Sequence, residues 1–217
     1  QTGRQGQSDF TYMNSVGVLI AGQLFNHLIY HFTLTYSNWE SVMVCFSESF
    51  ESLSAGLQKS LWEVGAVPEE HRTDSLSAAV NNLQDEDEFT ERYKGLIGHY
   101  GLRVSHNNPG RGHENGDVEQ AHHRFKRAVE QEMILRGSRD FQSRADYEMF
   151  LDQIVKRRNN RRGEKLQQEL AVMHRLPERR TEDWSRWSGK VSAFSNRERE
   201  AQHLFGRQPA HRGAYRH

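Results

Sequence analysis

Three acidic residues stand where carboxylates could do chemistry. Asp9 interrupts the strand-like "QSDFTYMN", a setting that disfavours aspartate. Asp74 closes the extended "EHRTD", where a parallel strand would reach its C-terminal edge, and strand ends of that kind border the functional crevice of an α/β sheet. Glu119 lies in "HENGDVEQAHHRFKRAV", in the first helical turn after Gly116. Carboxylates brought together repel unless a divalent cation neutralises them, and hard oxygen donors suit Mg2+ or Mn2+. Two such ions about 4 Å apart activate a water or hydroxyl and stabilise the leaving oxygen in phosphodiester cleavage. Each residue also has a plainer reading. Asp9 fits an edge strand or turn, Asp74 fits an N-cap ahead of "SLSAAV", and Glu119 suits a helix N-terminus electrostatically.

Basic residues follow the acidic ones. Lys126 comes seven residues after Glu119, close to two helical turns, so the two share a face. "DQIVKRRNNRRGEK" gathers Lys156, Arg157, Arg158, Arg161 and Arg162, a cation density that suits phosphates or, more simply, a helix C-terminus. His122 and His123 read as helix-surface residues. The formal charge of zero conceals a division: residues 1–119 carry 7 Lys+Arg against 16 Asp+Glu, and residues 120–217 carry 22 against 13. A basic half of this kind points to nucleic-acid contact or to solvated helix faces.

The elements that must hold these groups follow from periodicity. "QSDFTYMN", "HLIYHFTLTYS" and "ESVMVCFS" read as three consecutive strands. In "SESFESLSAGLQKSLWEVG" the period changes to three and four residues, with Ser47 or Ser49 as N-cap and Gly65 as the stop. An extended piece after Pro68, the helix "FTERYKGLIGHYG", the strand "LRVSHNNPG" and two further helices complete an α/β order: a three-stranded meander, then alternating helices and strands. The 217 residues suffice for one core with a helical extension. Apolar content of 35% and mean hydropathy of −0.88 describe a polar chain, and its longest apolar run, "VGVLIAGQLF", is too short for a membrane span. Cys45 reads as a small core residue, and the absence of spaced Cys/His pairs argues against a zinc finger. Starting at Gln1 suggests a fragment of a longer protein.

The blocks "SNWESVMVCFSESFESLSAGLQ", "VPEEHRTDSLSAAV", "FTERYKGLIGHYG", "ENGDVEQAHHRFKRAVEQ", "LRGSRDF" and "RRNNRR" occur in an order that resembles IstA-type DDE transposases, over approximately residues 1–195. The resemblance implies a ribonuclease-H-like integrase core with a mixed sheet, spanning 1–137. A basic helical extension (138–178) and an irregular tail (179–217) would follow. It puts the catalytic triad on Asp9, Asp74 and Glu119, which would hold two Mg2+ or Mn2+ ions, with Glu114 as the competing third carboxylate. Lys126, Arg157, Arg158, Arg161 and Arg162 become DNA-binding residues.

The activity implied is hydrolysis at a transposon 3′ end, then attack of the freed hydroxyl on target DNA. The partners implied are transposon-end and target DNA, an AAA+ helper ATPase and further transposase copies. The setting implied is the bacterial cytoplasm, at the nucleoid when bound to DNA. Against that family the chain reads as a fragment lacking the N-terminal helix-turn-helix region and the C-terminal β-rich domain. A stand-alone nuclease of the same fold and an inert, DNA-binding remnant of an insertion sequence are the rival readings. Beyond about Ser195 the tail is expected to be out of frame: codons can be chosen for "HLFGRQPAHRGAY" that, read one base later, give "TYSVVSRLIGER", similar to the family's continuation.

Overall fold

Aromatic and β-branched residues carry the chain through β1 (Gln5–Tyr12), then a small hairpin of β2 (Leu19–Ile20) and β3 (Gln23–Leu24), then β4 (Leu28–Leu34) and β5 (Glu40–Cys45). A computed structural model describes residues 2–73, 86–105, 116–181, 184–188 and 202–206; within these, 86–90, 104–105, 116–119 and the last two segments are described as backbone. Helix α1 (Phe50–Val64) starts at Ser49, whose hydroxyl accepts from the Ser52 N–H at 3.3 Å. It stops at Gly65, left-handed at φ 82°, as the sequence leads one to expect. Next come β6 (Glu70–Thr73), α2 (Glu86–Tyr100), β7 (Arg103–Ser105), α3 (Gly116–Arg136), β8 (Asp140–Phe141), α4 (Arg144–Asn160) and α5 (Gly163–Leu170).

The main sheet has the order β5-β4-β1-β6-β7. The meander pairs β1, β4 and β5 antiparallel, whereas β6 and β7 add to β1 in parallel, giving the mixed sheet expected from the sequence. Side chains alternate along β4, and both of its faces are covered. Leu28, Tyr30, Phe32 and Leu34 pack with α1 and α2 residues such as Leu53, Leu57, Tyr93 and Leu96. Ile29 of β4, with Val42 and Val44 of β5, joins Phe125, Val129, Tyr147 and Leu151 of α3 and α4. The result is a sheet between two helical layers. Cys45 is buried, and burial pushes its thiol up to about 12, so it behaves as the small core residue expected.

Residues 1–178 form one compact unit and 179–217 a second. In the second, β9 (Trp184–Ser188) pairs antiparallel with β10 (Gln202–Gly206). The stretch expected to be an irregular tail thus includes one described hairpin. "WSRWS" alternates aromatic and polar residues at the period of a strand, a signal too short to register beside a polar tail. Among the described residues, no helix is long and apolar enough to cross a membrane.

Candidate active site on the sheet

Asp9 lies within β1, half-buried, with its Cα opposite that of His31 on β4. Directly paired residues point to the same face. The His31 ring lies 5.3 Å from Phe125 and stacks at 5.2 Å on His122, both on α3, so Asp9 belongs to the face that α3 covers. On its other side β1 runs parallel to β6, with Gln5 opposite Glu70, Gln7 opposite Arg72 and Ser8 opposite Thr73. Asp74 and Glu114 lie outside the described residues. Glu119 is in the first turn of α3, three residues before His122, and its side chain is likewise outside them. Among the described residues, no group of three His, Cys, Asp or Glu is arranged to hold a metal ion.

Under this end of the β1–β6 pair, on the opposite face, the Ser8 hydroxyl lies 2.9 Å from His71 Nε2 and the Tyr93 hydroxyl 2.9 Å from His71 Nδ1. Burial lowers His71 to about 3, so the ring is neutral and bonded at both nitrogens. This buried relay cross-links β1, β6 and α2 on the face opposite Asp9.

The other face holds a charged hub. Glu40, 1% exposed, accepts from His31 Nε2 at 3.1 Å and is paired with Arg158 and, at 3.2 Å, with Arg162. Asn159 locks the backbone of Glu40 from both sides, accepting from its N–H at 3.0 Å and donating to its carbonyl at 2.7 Å. Burial pushes the Glu40 carboxyl up, but the hydrogen bond and charge of His31 and the two guanidinium groups outweigh it and hold it down at about 2. Nε2 is the ring nitrogen that meets this carboxylate; the other is His31 Nδ1. That nitrogen is buried and unpartnered among the described residues, as is Nε2 of His122.

The hub redistributes the basic residues singled out by sequence. Arg158 and Arg162 are counter-charges to Glu40, and Arg157 pairs with Glu132 at 2.8 Å. Arg161 and Lys156 are exposed. Arg124 of α3 is close enough to Arg162 to disfavour its charge, so it extends the same positive surface. Lys126 is half-buried; burial lowers its pKa while Glu130 opposes the shift. His122, expected on the helix surface, is buried instead. Its neighbours on the inward face are Phe125 and Val129, and the apolar stripe they begin takes in the imidazole as an aromatic member. Sequence reasoning passed over Glu40 and His31, although a charge opening "ESVMVCF" and a histidine inside "LIYHFTL" are the signals a buried ion pair leaves.

No family model matches the chain. It is 46% identical over 187 residues to an uncharacterized protein of Sinorhizobium fredii; the match takes in 85% of this chain but 37% of that relative's length. Among solved structures, the intasome of simian T-cell lymphotropic virus, in complex with the PP2A regulatory subunit B56 gamma, aligns over 91% of this chain and 66% of its own. The TM-score there is 0.59 and the identity 12%. The HTLV-2 integrase catalytic core in complex with magnesium aligns over 71% of this chain and 84% of its own, with TM-score 0.49 and 12% identity. Mixed sheet, strand order and flanking helices together give this chain the ribonuclease-H-like fold of integrase catalytic cores.

Proposed function

We propose that the chain carries the catalytic core of a DNA transposase resembling the IstA type, in which Asp9, Asp74 and Glu119 hold two Mg2+ or Mn2+ ions. The observation that carries this reading is the parallel register of β1 and β6. Ser8 is opposite Thr73, so continuing the ladder by one residue past the C-terminal end of β6 would set Asp74 opposite Asp9 in the middle of β1. Because side chains alternate, the two carboxylates would then share the face that α3 covers. Glu119 opens α3, and α3 lies against β1.

Donor chemistry fits the ions, since three carboxylates, one from β1, one following β6 and one from a helix, make an all-oxygen set. When bound, such ions would activate the attacking hydroxyl and stabilise the leaving oxygen of an in-line displacement at phosphorus. The chain's own task is to hold three negative charges in place and to present cations to the substrate backbone. Lys126, within about 20° of Glu119 around the helix axis, would bind the phosphate beside the scissile bond. Arg161, with Arg124 and the residual positive charge around Arg157, Arg158 and Arg162, would grip DNA further along. Transposon-end DNA, target DNA, further copies of the transposase and an AAA+ helper ATPase are the partners of this reading.

The test is Mn2+ binding by calorimetry, with Mn2+-dependent nicking of supercoiled plasmid as a second readout. The parent chain is expected to bind Mn2+ and to nick. Asp9→Asn and Asp74→Asn should each lose both properties while keeping the parent's circular dichroism. Parent-like Mn2+ binding by a folded Asp9→Asn variant would overturn the reading.

A further inference from the structure

Four histidines of the described unit are buried: His27, His31, His71 and His122. Two are satisfied at both ring nitrogens. His27 Nδ1 donates to the Phe25 carbonyl and its Nε2 accepts from the Tyr147 hydroxyl, while His71 lies between Ser8 and Tyr93. His31 and His122 differ, because each leaves one buried nitrogen unpartnered among the described residues. A phenylalanine at position 122 would pack there without that desolvation cost. Stability alone therefore does not account for His122. What the two rings do is join three elements. His31 is opposite Asp9 on the sheet, is tied to Glu40 on β5, and lies at 5.2 Å and 30° against His122 on α3.

We propose that His31 and His122 are positioning residues: their stacked rings, anchored on Glu40, fix where the first turns of α3 sit against β1, and so fix the approach of Glu119 to Asp9. The proposal rests on the metal-site reading above and adds to it the device that sets the third carboxylate. The ring plane is the important property. Two rings in contact have preferred relative orientations, whereas an aliphatic side chain fills the volume without one. His122 precedes Lys126 by one turn, so the same contact also orients the lysine. Groups that support a metal ligand from behind typically change metal affinity by about 10- to 100-fold when altered.

Two variants of the full chain separate positioning from packing. His122→Leu fills the site, removes the unpartnered nitrogen and takes away the plane; His122→Phe removes the nitrogen and keeps the plane. For His122→Leu we expect a thermal midpoint equal to or above the parent's, with Mn2+ affinity about 10-fold weaker. His122→Phe should restore affinity to near the parent value. Parent-like affinity in the leucine variant, or a phenylalanine variant as weak as leucine, would overturn the proposal. If the parent's Mn2+ binding is not abolished by Asp9→Asn, it is the metal-site reading that fails. The positioning claim is then read from amide hydrogen exchange over residues 116–122, which should speed up in His122→Leu and stay parent-like in His122→Phe. Unchanged exchange in both sinks it. Should His122→Leu not fold, His122→Met takes the same two measurements with the same expected outcomes.

Discussion

Glu40 has almost no access to water, yet it carries a charge that three side chains on separate elements stabilise: His31 on β4 by a hydrogen bond, and Arg158 on α4 and Arg162 at the start of α5 by ion pairs. Removing one partner of a buried ion pair leaves the others uncompensated and costs about 3 kcal/mol or more. Glu40→Gln should therefore lower unfolding free energy by about 3 kcal/mol in urea titrations; a change within 0.5 kcal/mol (about the scatter for inert surface sites) would mean the hub contributes little. The same geometry separates the arginines by role. Arg161→Gln should reduce the salt slope of non-specific DNA binding by about one ion with stability unchanged. Arg158→Gln should instead destabilise the fold with a smaller effect on that slope. Equal slopes for both variants would return Arg158 to the phosphate-binding set. Sequence suggested Arg157, Arg158, Arg161 and Arg162 as one cluster because spacing reports cation density. It does not report which cations a distant carboxylate has claimed, and Glu40 is 118 residues away from Arg158.

At the scale of elements, local signals were readable wherever they depend on neighbours in sequence. Ser49 and Gly65 bracket α1 as caps, and the aromatic runs become β1, β4 and β5. The β2–β3 hairpin escaped because its turn places Ala21 at φ 50° ahead of Gly22, where Asn-Gly or Asp-Gly would have been the recognisable pair. Helix α5 escaped because it starts at Gly163 without a side-chain cap. The parallel register that sets the C-terminal end of β6 beside the middle of β1 is a non-local choice, and no local pattern encodes it. One packing detail at this scale is testable. A Cβ on Gly56 of α1 would lie 2.3 Å from the fully buried Tyr30 ring on β4, so α1 approaches the sheet only because that position lacks a side chain. Gly56→Ala should destabilise by about 2 kcal/mol despite its better helix propensity, as overpacking does. A stabilised variant would show that the ring can move aside.

The whole molecule carries one more consequence of burying histidine. Residues 1–178 form a compact unit with their own two core clusters, so a chain ending at Glu178 should keep its thermal midpoint within about 2 °C of the full-length value, a shift smaller than 1 kcal/mol produces in a domain this size. That unit buries three imidazoles in the neutral form. Burial lowers His27 to about 4, His71 to about 3 and His122 to about 3, from an ordinary value of 6.5. Between pH 6.5 and about 3 the unfolded chain therefore binds protons that the folded chain refuses, and stability falls as pH falls. Glu40 acts in the same direction at lower pH. Its folded carboxyl, at about 2 against 4.5 unfolded, contributes stability above pH 4.5 that is lost as pH drops toward 2. Acid sensitivity should thus begin near pH 6.5, where histidine acts alone, well above the carboxylate range. In urea titrations the unfolding midpoint should be flat from pH 8.5 to 7 and then decline steadily from pH 7 to 5. His122→Phe removes one of the three groups and should make that decline shallower, from a plateau equal to or above the parent's. A parent midpoint that holds level down to pH 5 would mean that these rings reach solvent or acquire partners on protonation, and that the neutral buried core described for them is wrong.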